Sequence, residues 1–223
     1  MEDNQHKKLI RVDMHVHTKY SRDSSNDLDD ILSAVNSGKL DKIFITDHNT
    51  IKGAVKLSRQ FPQKILVGEE VNTDCGEIIL YFVREEIPSG LDLIETIKIA
   101  REQNCLISVP HPLDRFRSSA IGPDNLNRIL NLIDGIEIFN SRCLWAGDNA
   151  RALTIAQKNK LLFTAGSDAH VRREIGRAGI ICEDFYDTPS LKLSLINASY
   201  FGILSHPAIH LYSTVIKAKK DIT

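Results

Sequence analysis

The residues of this chain that can do chemistry lie in five short stretches. They are Asp13-Met14-His15-Val16-His17, Thr46-Asp47-His48, Gly68-Glu69-Glu70, Pro110-His111-Pro112 and Ala165-Gly166-Ser167-Asp168-Ala169-His170. The last is the densest: a carboxylate and an imidazole stand two residues apart among small residues that let the backbone approach a crowded centre. Imidazoles grouped with carboxylates are ligands for divalent ions such as zinc, manganese or iron. Of the eight histidines in the chain, His15, His17, His48, His111 and His170 fall in these stretches. His6, His206 and His210 lie outside them and read as structural or solvated.

Each stretch follows a short apolar, β-branched run: Leu9 to Val12, Ile43 to Ile45, Ile65 to Val67, Leu106 to Val109 and Leu161 to Thr164. Such runs read as strands. By the two-residue period of a strand, Asp13, His15 and His17 share one face, and the two imidazoles are roughly 6–7 Å apart at their backbones. Further strands are expected at Glu77 to Val83, Gly135 to Phe139 and Ala178 to Cys182. Helical spacing predicts helices over Asp27 to Ser37, onward from Thr50 to about Arg59, Leu91 to Gln103, Pro123 to Leu132, Asp148 to Lys158, Pro189 to Ala198 and Ala208 to Lys219. Alternating strands and helices with short connections predict a parallel α/β sheet with right-handed crossovers. Seven or so repeats predict closure as a distorted TIM-like (β/α)7 barrel, with the metal site at the C-terminal ends of the strands. Residues 1–223 then form one domain. An open doubly wound sheet is the alternative, but no Gly-x-Gly-x-x-Gly or Walker loop follows the first strand.

Bulk composition narrows the class. A formal net charge of -1 removes bulk basicity as an argument for a nucleic-acid partner, although it does not exclude one. Apolar stretches are too short to cross a bilayer, and Met1 to Lys8 is polar, unlike a signal peptide. Cys75, Cys105, Cys143 and Cys182 are widely spaced with no Cys-x-x-Cys, so a reduced cytoplasmic protein is expected.

In this order, Asp-x-His-x-His-Thr, Thr-Asp-His, Gly-x-Glu, His-Pro and Gly-Ser-Asp-Ala-His resemble the motifs of the polymerase and histidinol phosphatase (PHP) family of metal-dependent phosphoesterases, in its stand-alone short form. The resemblance covers roughly residues 9 to 182 and implies two or three divalent ions, zinc, manganese or iron. By motif position, His15, His17, Glu70 and Asp168 would hold the first ion. Glu70 would bridge to a second, also bound by His111. Asp23, six residues after His17, would hold the third with His48 and His170. The implied reaction is hydrolysis of a phosphate ester by a metal-bridging hydroxide, with Asp168 and His170 in catalytic roles and Asp168 or a water passing protons to the leaving alkoxide. A nucleotide, a sugar phosphate or a short nucleic acid end would be the substrate. Arg142 and Arg177, each just past a motif-bearing strand, are the expected substrate contacts.

Glu69 and Glu70 are adjacent, so only one can point inward from a strand; motif register selects Glu70. Asp13 and Asp47 are expected to order the site rather than ligate. No histidine lies between His48 and His111, where family members often supply one. Glu77 could substitute, or be an ordinary exposed glutamate. Two rival functions remain: an amidohydrolase acting on carbon–nitrogen bonds, which would want a carbamylated lysine at a strand end, and a metal-binding module without catalysis. Nothing in the sequence sets the oligomeric state.

Overall fold

The structure is a computed structural model that describes residues 8–220, so His6 lies outside the described residues. The elements in chain order are β1 (Leu9–Val16), α1 (Leu28–Asn36), β2 (Lys42–Ile45), α2 (Lys52–Ser58), β3 (Ile65–Thr73), β4 (Gly76–Tyr81), α3 (Leu93–Glu102), β5 (Leu106–Val109), α4 (Gly122–Ile129), β6 (Gly135–Asn140), α5 (Ala146–Asn159), β7 (Leu162–Gly166), β8 (Ala178–Glu183), α6 (Thr188–Ile196), β9 (Ser199–Gly202) and α7 (Ala208–Lys220). A 3-10 turn, Arg172–Glu174, lies between β7 and β8.

All the strands belong to one sheet of order β7-β6-β5-β4-β3-β2-β1-β8-β9. The sheet curls until its first and seventh strands meet. Asp168 N donates to His15 O at 2.7 Å, and His17 N donates to Ala169 O at 3.0 Å. β1 therefore divides its edge. Its first half, Leu9 to Val12, pairs antiparallel with β8, while its second half pairs with the segment leaving β7. The result is a TIM-like α/β barrel in which β8 and β9 extend the sheet beyond β1.

The expectation of an all-parallel sheet is corrected at two places. β4 runs antiparallel to both β3 and β5, and β8 runs antiparallel to β1. The cause at β4 is local. β3 continues to Thr73, and only Asp74 and Cys75 separate it from β4, too few residues for a crossover and enough for a hairpin. Gly76, at φ +125°, takes a backbone conformation that a side chain would resist. Seven strands were expected in the barrel; β8 lengthens the sheet where the sequence suggests a short strand at Ala178 to Cys182, and β9 had no counterpart in the sequence reading. β9 is a short, largely exposed edge strand.

Alternation along the strands sorts side chains into two layers. Ile43, Ile45 and Ile65 pack against Ile31, Val35 and Leu57 of α1 and α2. Ile78, Leu80, Ile107 and Ile136 pack against Ile97, Leu126 and Ala152 of α3, α4 and α5. The opposite faces contribute Phe44, Leu66, Ile79, Tyr81 and Leu106 to a separate cluster that fills the sheet's concave side. Glu70 shares the face of Leu66, and Glu77 shares the face of Ile79 and Tyr81.

Asp134 ties three elements together before β6. It accepts from Arg101 Nη1 at 2.5 Å, Lys192 Nζ at 2.7 Å and Ile107 N at 2.9 Å. Burial raises its carboxyl pKa, but the bonds from Arg101 and Lys192 outweigh burial and hold it below the usual carboxylate range. A carboxyl depressed on folding contributes stability above its unfolded pKa and loses it as pH falls toward the folded value. Asp134→Asn is therefore expected to cost about 1–2 kcal/mol at neutral pH, with the difference from wild type shrinking below about pH 4. Urea unfolding at a series of pH values measures it; a pH-independent difference would remove the electrostatic explanation.

Candidate metal centre

The five motif stretches converge at one end of the barrel. β1 carries His15 and is followed directly by His17; β3 carries Glu70; the segments after β2, β5 and β7 carry His48, His111, and Asp168 with His170. Asp23 comes from the loop after His17 and approaches His170 Nε2 at 3.1 Å. His15, His17, Glu70, His111, Asp168 and His170 are buried, and His48 is partly so. Two of these residues adopt left-handed backbone, Asp168 at φ 53° and His111 at φ 28°. Such strain persists only where the surroundings impose it.

Hydrogen-bond partners reveal where the imidazole lone pairs point. Glu137 is an acceptor, so His15 Nδ1 donates to Glu137 Oε1 at 3.0 Å. Ser21 Oγ gives its proton to Asp47 Oδ1 at 2.7 Å and therefore accepts from His17 Nδ1 at 3.1 Å. Both rings are left with a bare Nε2. Those two nitrogens face each other at 3.0 Å. Glu70 Oε2 stands 3.3 Å from each, and Asp168 Oδ1 lies 3.6 Å from His15 Nε2 and 3.3 Å from His17 Nε2. Four acceptors meet with no donor among them. A divalent cation would satisfy His15, His17 and Asp168, whose ligand atoms lie within 4.8 Å of one another, with Glu70 Oε2 beside the two imidazoles, so these residues fit a metal ion. Burial lowers the pKa of His15, but Glu70, Asp168 and Glu137 outweigh it, which marks the same point as one that wants positive charge.

Two further groups adjoin the first. Glu70 turns its other oxygen, Oε1, to His111 Nε2 at 3.0 Å, so one carboxylate spans both groups. Glu77 Oε2 lies 3.6 Å from the same His111 nitrogen, and its Oε1 lies 3.5 Å from His48 Nδ1. On the far side, His170 Nδ1 donates to Asp168 O at 2.8 Å, leaving its Nε2 lone pair facing Asp23 Oδ2. His48 Nε2 stands 3.7 Å from that same oxygen. Buried oxygens and nitrogens with no hydrogen-bond partner include Asp168 Oδ1, Glu77 Oε2, Asp23 Oδ1 and His48 Nδ1. All belong to these groups.

A surrounding layer fixes the ligand orientations. Glu137 accepts from His111 N at 2.8 Å and Asn140 Nδ2 at 2.9 Å besides His15. Asp13 clamps the closing strands, accepting from Ser167 N at 2.9 Å, Ser167 Oγ at 2.5 Å and Gly176 N at 2.9 Å. Asp47 accepts from Thr18 N and Ser21 Oγ, both at 2.7 Å. Glu69 points away from the centre and accepts from Ile87 N. Glu137→Gln keeps the shape but weakens acceptance from His15, and should lower metal affinity or activity by about 10–100-fold. Isothermal titration with Zn²⁺ would detect it, and unchanged affinity would deny Glu137 that role.

Each arginine that the sequence puts forward makes one side-chain hydrogen bond outside the candidate ligand groups and keeps buried nitrogens without a hydrogen-bond partner, Nε and Nη1 of Arg142 and Nε of Arg177. Arg142 Nη2 donates to Ser213 Oγ at 2.8 Å and its Nη1 lies 3.5 Å from Glu174. Arg177 Nη2 donates to Leu204 O at 2.6 Å. Arg117 reaches the centre instead, its Nη2 2.5 Å from Asp168 Oδ2, because the loop after β5 folds back across the mouth. Glu137 and Asn140 escaped the sequence reading as site residues. Glu77 stands with the candidate ligands because β4 is antiparallel, so that its start, not its end, lies at the end of the barrel where they gather.

A family model described as PHP-associated matches residues 146–190, the segment that carries Asp168 and His170. An uncharacterised protein of Methanocaldococcus jannaschii is 37% identical over 182 residues, covering 77% of this chain and 70% of that protein. The chain belongs to the PHP family. Among solved structures, a two-domain protein from Bacteroides vulgatus containing a predicted PHP-like metal-dependent phosphoesterase superposes with TM-score 0.71 at 17% identity, over 88% of this chain and 66% of that one. This PHP chain thus spans about two thirds of that protein's length. An amidohydrolase from Chromobacterium violaceum, with bound SO4 and no metal, gives TM-score 0.58 at 11% identity, over 91% and 96% of the two chains. At those identities the PHP fold is what the structures share.

Proposed function

We propose that this PHP-family protein is a metal-dependent phosphoesterase acting on a small phosphate ester. The observation that carries the reading is the donor-free meeting of His15 Nε2, His17 Nε2, Glu70 Oε2 and Asp168 Oδ1. In this proposal those four residues hold one divalent ion. Glu70, His111 and Glu77 hold a second, and Asp23, His48 and His170 a third. Zinc, manganese or iron bound there would supply Lewis acidity toward a phosphoryl oxygen and acidify water at neutral pH.

The residues of the chain do the rest. Glu137 and the Ser21–Asp47 pair hold His15 and His17 with their lone pairs already aimed, so no reorganisation is needed at the moment of reaction. Asp168 Oδ2 accepts from both Arg117 and Asn140. In this proposal it is an ionised ligand, and a water rather than Asp168 passes the proton to the leaving alkoxide. His170 spends its proton on Asp168 O and serves by holding a cation. Arg117 uses one nitrogen on Asp168, and its remaining N–H groups can meet phosphoryl oxygens. In this reading it takes the part that the sequence assigns to Arg142 and Arg177.

An amidohydrolase with a carbamylated lysine is the poorer reading. Lys42, which is buried, is committed to Asp184 and to Phe185 O, so its amine is not free to be carbamylated. The four cysteines are free thiols, in keeping with the cytoplasmic location that goes with this proposal. No described helix is long and apolar enough to cross a membrane. The test is to load the purified protein with Mn²⁺, Zn²⁺ or Fe²⁺ and offer phosphate monoesters, diesters and cyclic amides. Phosphate or alcohol release is expected. Amide cleavage alone would overturn the reading, and stable binding of two or three ions with no turnover would favour a metal-binding module.

A further inference from the structure

Two loops at the metal-bearing end expose large apolar side chains that the metal chemistry does not require. Phe116, in the loop after β5, is 64% exposed; Leu144 and Trp145, in the loop after β6, are 40% and 56% exposed. The loop that holds Phe116 starts at His111, and its next residue, Arg117, touches Asp168. Its previous residue, Arg115, reaches the other loop. Arg115 donates to Asp148 through Nε at 3.2 Å and Nη2 at 2.8 Å, and its guanidinium carbon lies 5.5 Å from the Trp145 ring centroid. Arg115, Phe116 and Arg117 thus run from the indole of Trp145 to the carboxylate of Asp168.

The indole of Trp145 and the backbone of Phe116 are held in place. A Cβ on Gly147 would lie 2.3 Å from Trp145 Nε1, so the indole rests directly on the backbone that opens α5. Phe116 N donates to Asp114 Oδ1 at 3.1 Å, and Asp114 is buried. Exposed rings fixed by a buried frame lose little entropy when they bind a flat partner. They cost solvation free energy while uncovered, and apolar surface left out at the rim of a site marks an interaction.

We propose that Phe116 and Trp145, flanked by Leu144, form an aromatic platform that stacks the planar ring of the substrate's alcohol. The preferred substrate is then the phosphate ester of a nucleoside. The inference rests on the phosphoesterase reading above and selects among the esters that reading allows. The placement suits it: Phe116 directly precedes Arg117, whose guanidinium touches Asp168, and directly follows Arg115, which lies against Trp145, so the residues that would meet the base adjoin those that would meet the phosphate. A sugar phosphate would leave the rings uncovered. Stacking tolerates any base, since every base has a π-face. Arg115 is neutralised by Asp148, so the platform offers a flat apolar surface and not a second anion site.

Trp145 is the chain's single tryptophan, so its fluorescence reports occupancy independently of turnover. Metal-loaded protein should be titrated with adenosine 5′-monophosphate and with ribose 5-phosphate. The nucleotide is expected to change the emission saturably, and the sugar phosphate to leave it unchanged. In assays of released phosphate, kcat/KM should favour the nucleotide by about tenfold or more, and Phe116→Ala or Trp145→Ala should cut that preference by about tenfold. Trp145→Phe, which keeps a ring, should restore most of it. Circular dichroism confirms that the variants fold. Saturable quenching without phosphate release would uphold the platform and sink the phosphoesterase reading. Equal turnover of both esters, with no quenching and no change of ratio in the variants, would overturn the platform and leave that reading standing. Variants that turn a dimer into a monomer at constant ratio would overturn it too, by making the patch a self-association surface.

Discussion

Replacing Asp168 with alanine is expected to lower kcat/KM by at least about a thousandfold, or roughly 4 kcal/mol, and to empty the first ion position while the barrel stays folded. Asp168 supplies the anionic member facing His15 and His17, with Oδ1 at 3.6 and 3.3 Å from their Nε2 atoms. Without it, the histidine lone pairs keep only Glu70 as an anionic companion. The partly buried guanidinium of Arg117 also loses its closest carboxylate, and an unpaired cation beside the site opposes a divalent ion. Alanine tolerates the left-handed backbone at position 168 poorly, so Asp168→Asn provides the control. Asparagine accepts that conformation and fills the same volume, but it carries no charge. Both variants should lose metal in elemental analysis, and the Asp168→Asn protein should unfold at a higher temperature than the alanine variant. Full metal content and activity in either variant would show that Asp168 is no ligand. Global unfolding of both would make its role structural.

The second large effect is expected at a residue with no side chain. Gly166→Ala should destabilise the protein by about 3 kcal/mol, near the upper end for an overpacked site, and weaken metal binding at the same time. A Cβ at this position would sit 2.3 Å from His15 Cβ and 2.6 Å from His15 N. Neither neighbour is the free end of a side chain, so β1 and β7 must part. The bonds from Asp168 N to His15 O and from His17 N to Ala169 O close the barrel beside this contact. Separating the strands therefore moves His15 and His17 away from Asp168 and His170. Denaturant unfolding together with Zn²⁺ titration would register both losses. Wild-type stability with wild-type affinity would mean that the closure has slack which these distances do not show.

Much of the site was legible in the chain because strands alternate. Two histidines at positions 15 and 17 must share a face, and two adjacent glutamates cannot, so the periodicity of a strand separates Glu70 from Glu69 once register chooses between them. The placing of small residues around Asp168 signalled a crowded approach, and Gly166 lies directly against His15. Tertiary structure decided everything that depends on which strands are neighbours. The direction of β4 is set by a two-residue connection after an extended β3, and reversing it carries Glu77 to the ligands although no motif surrounds it. Glu137 meets His15 across 122 positions and Arg117 meets Asp168 across 51; no local pattern encodes either pair, because each forms only when the sheet curls. Residue type and spacing determined which atoms could bind a metal. Closure of β1 on β7 decided which lone pairs face one another, and which cation stands beside them.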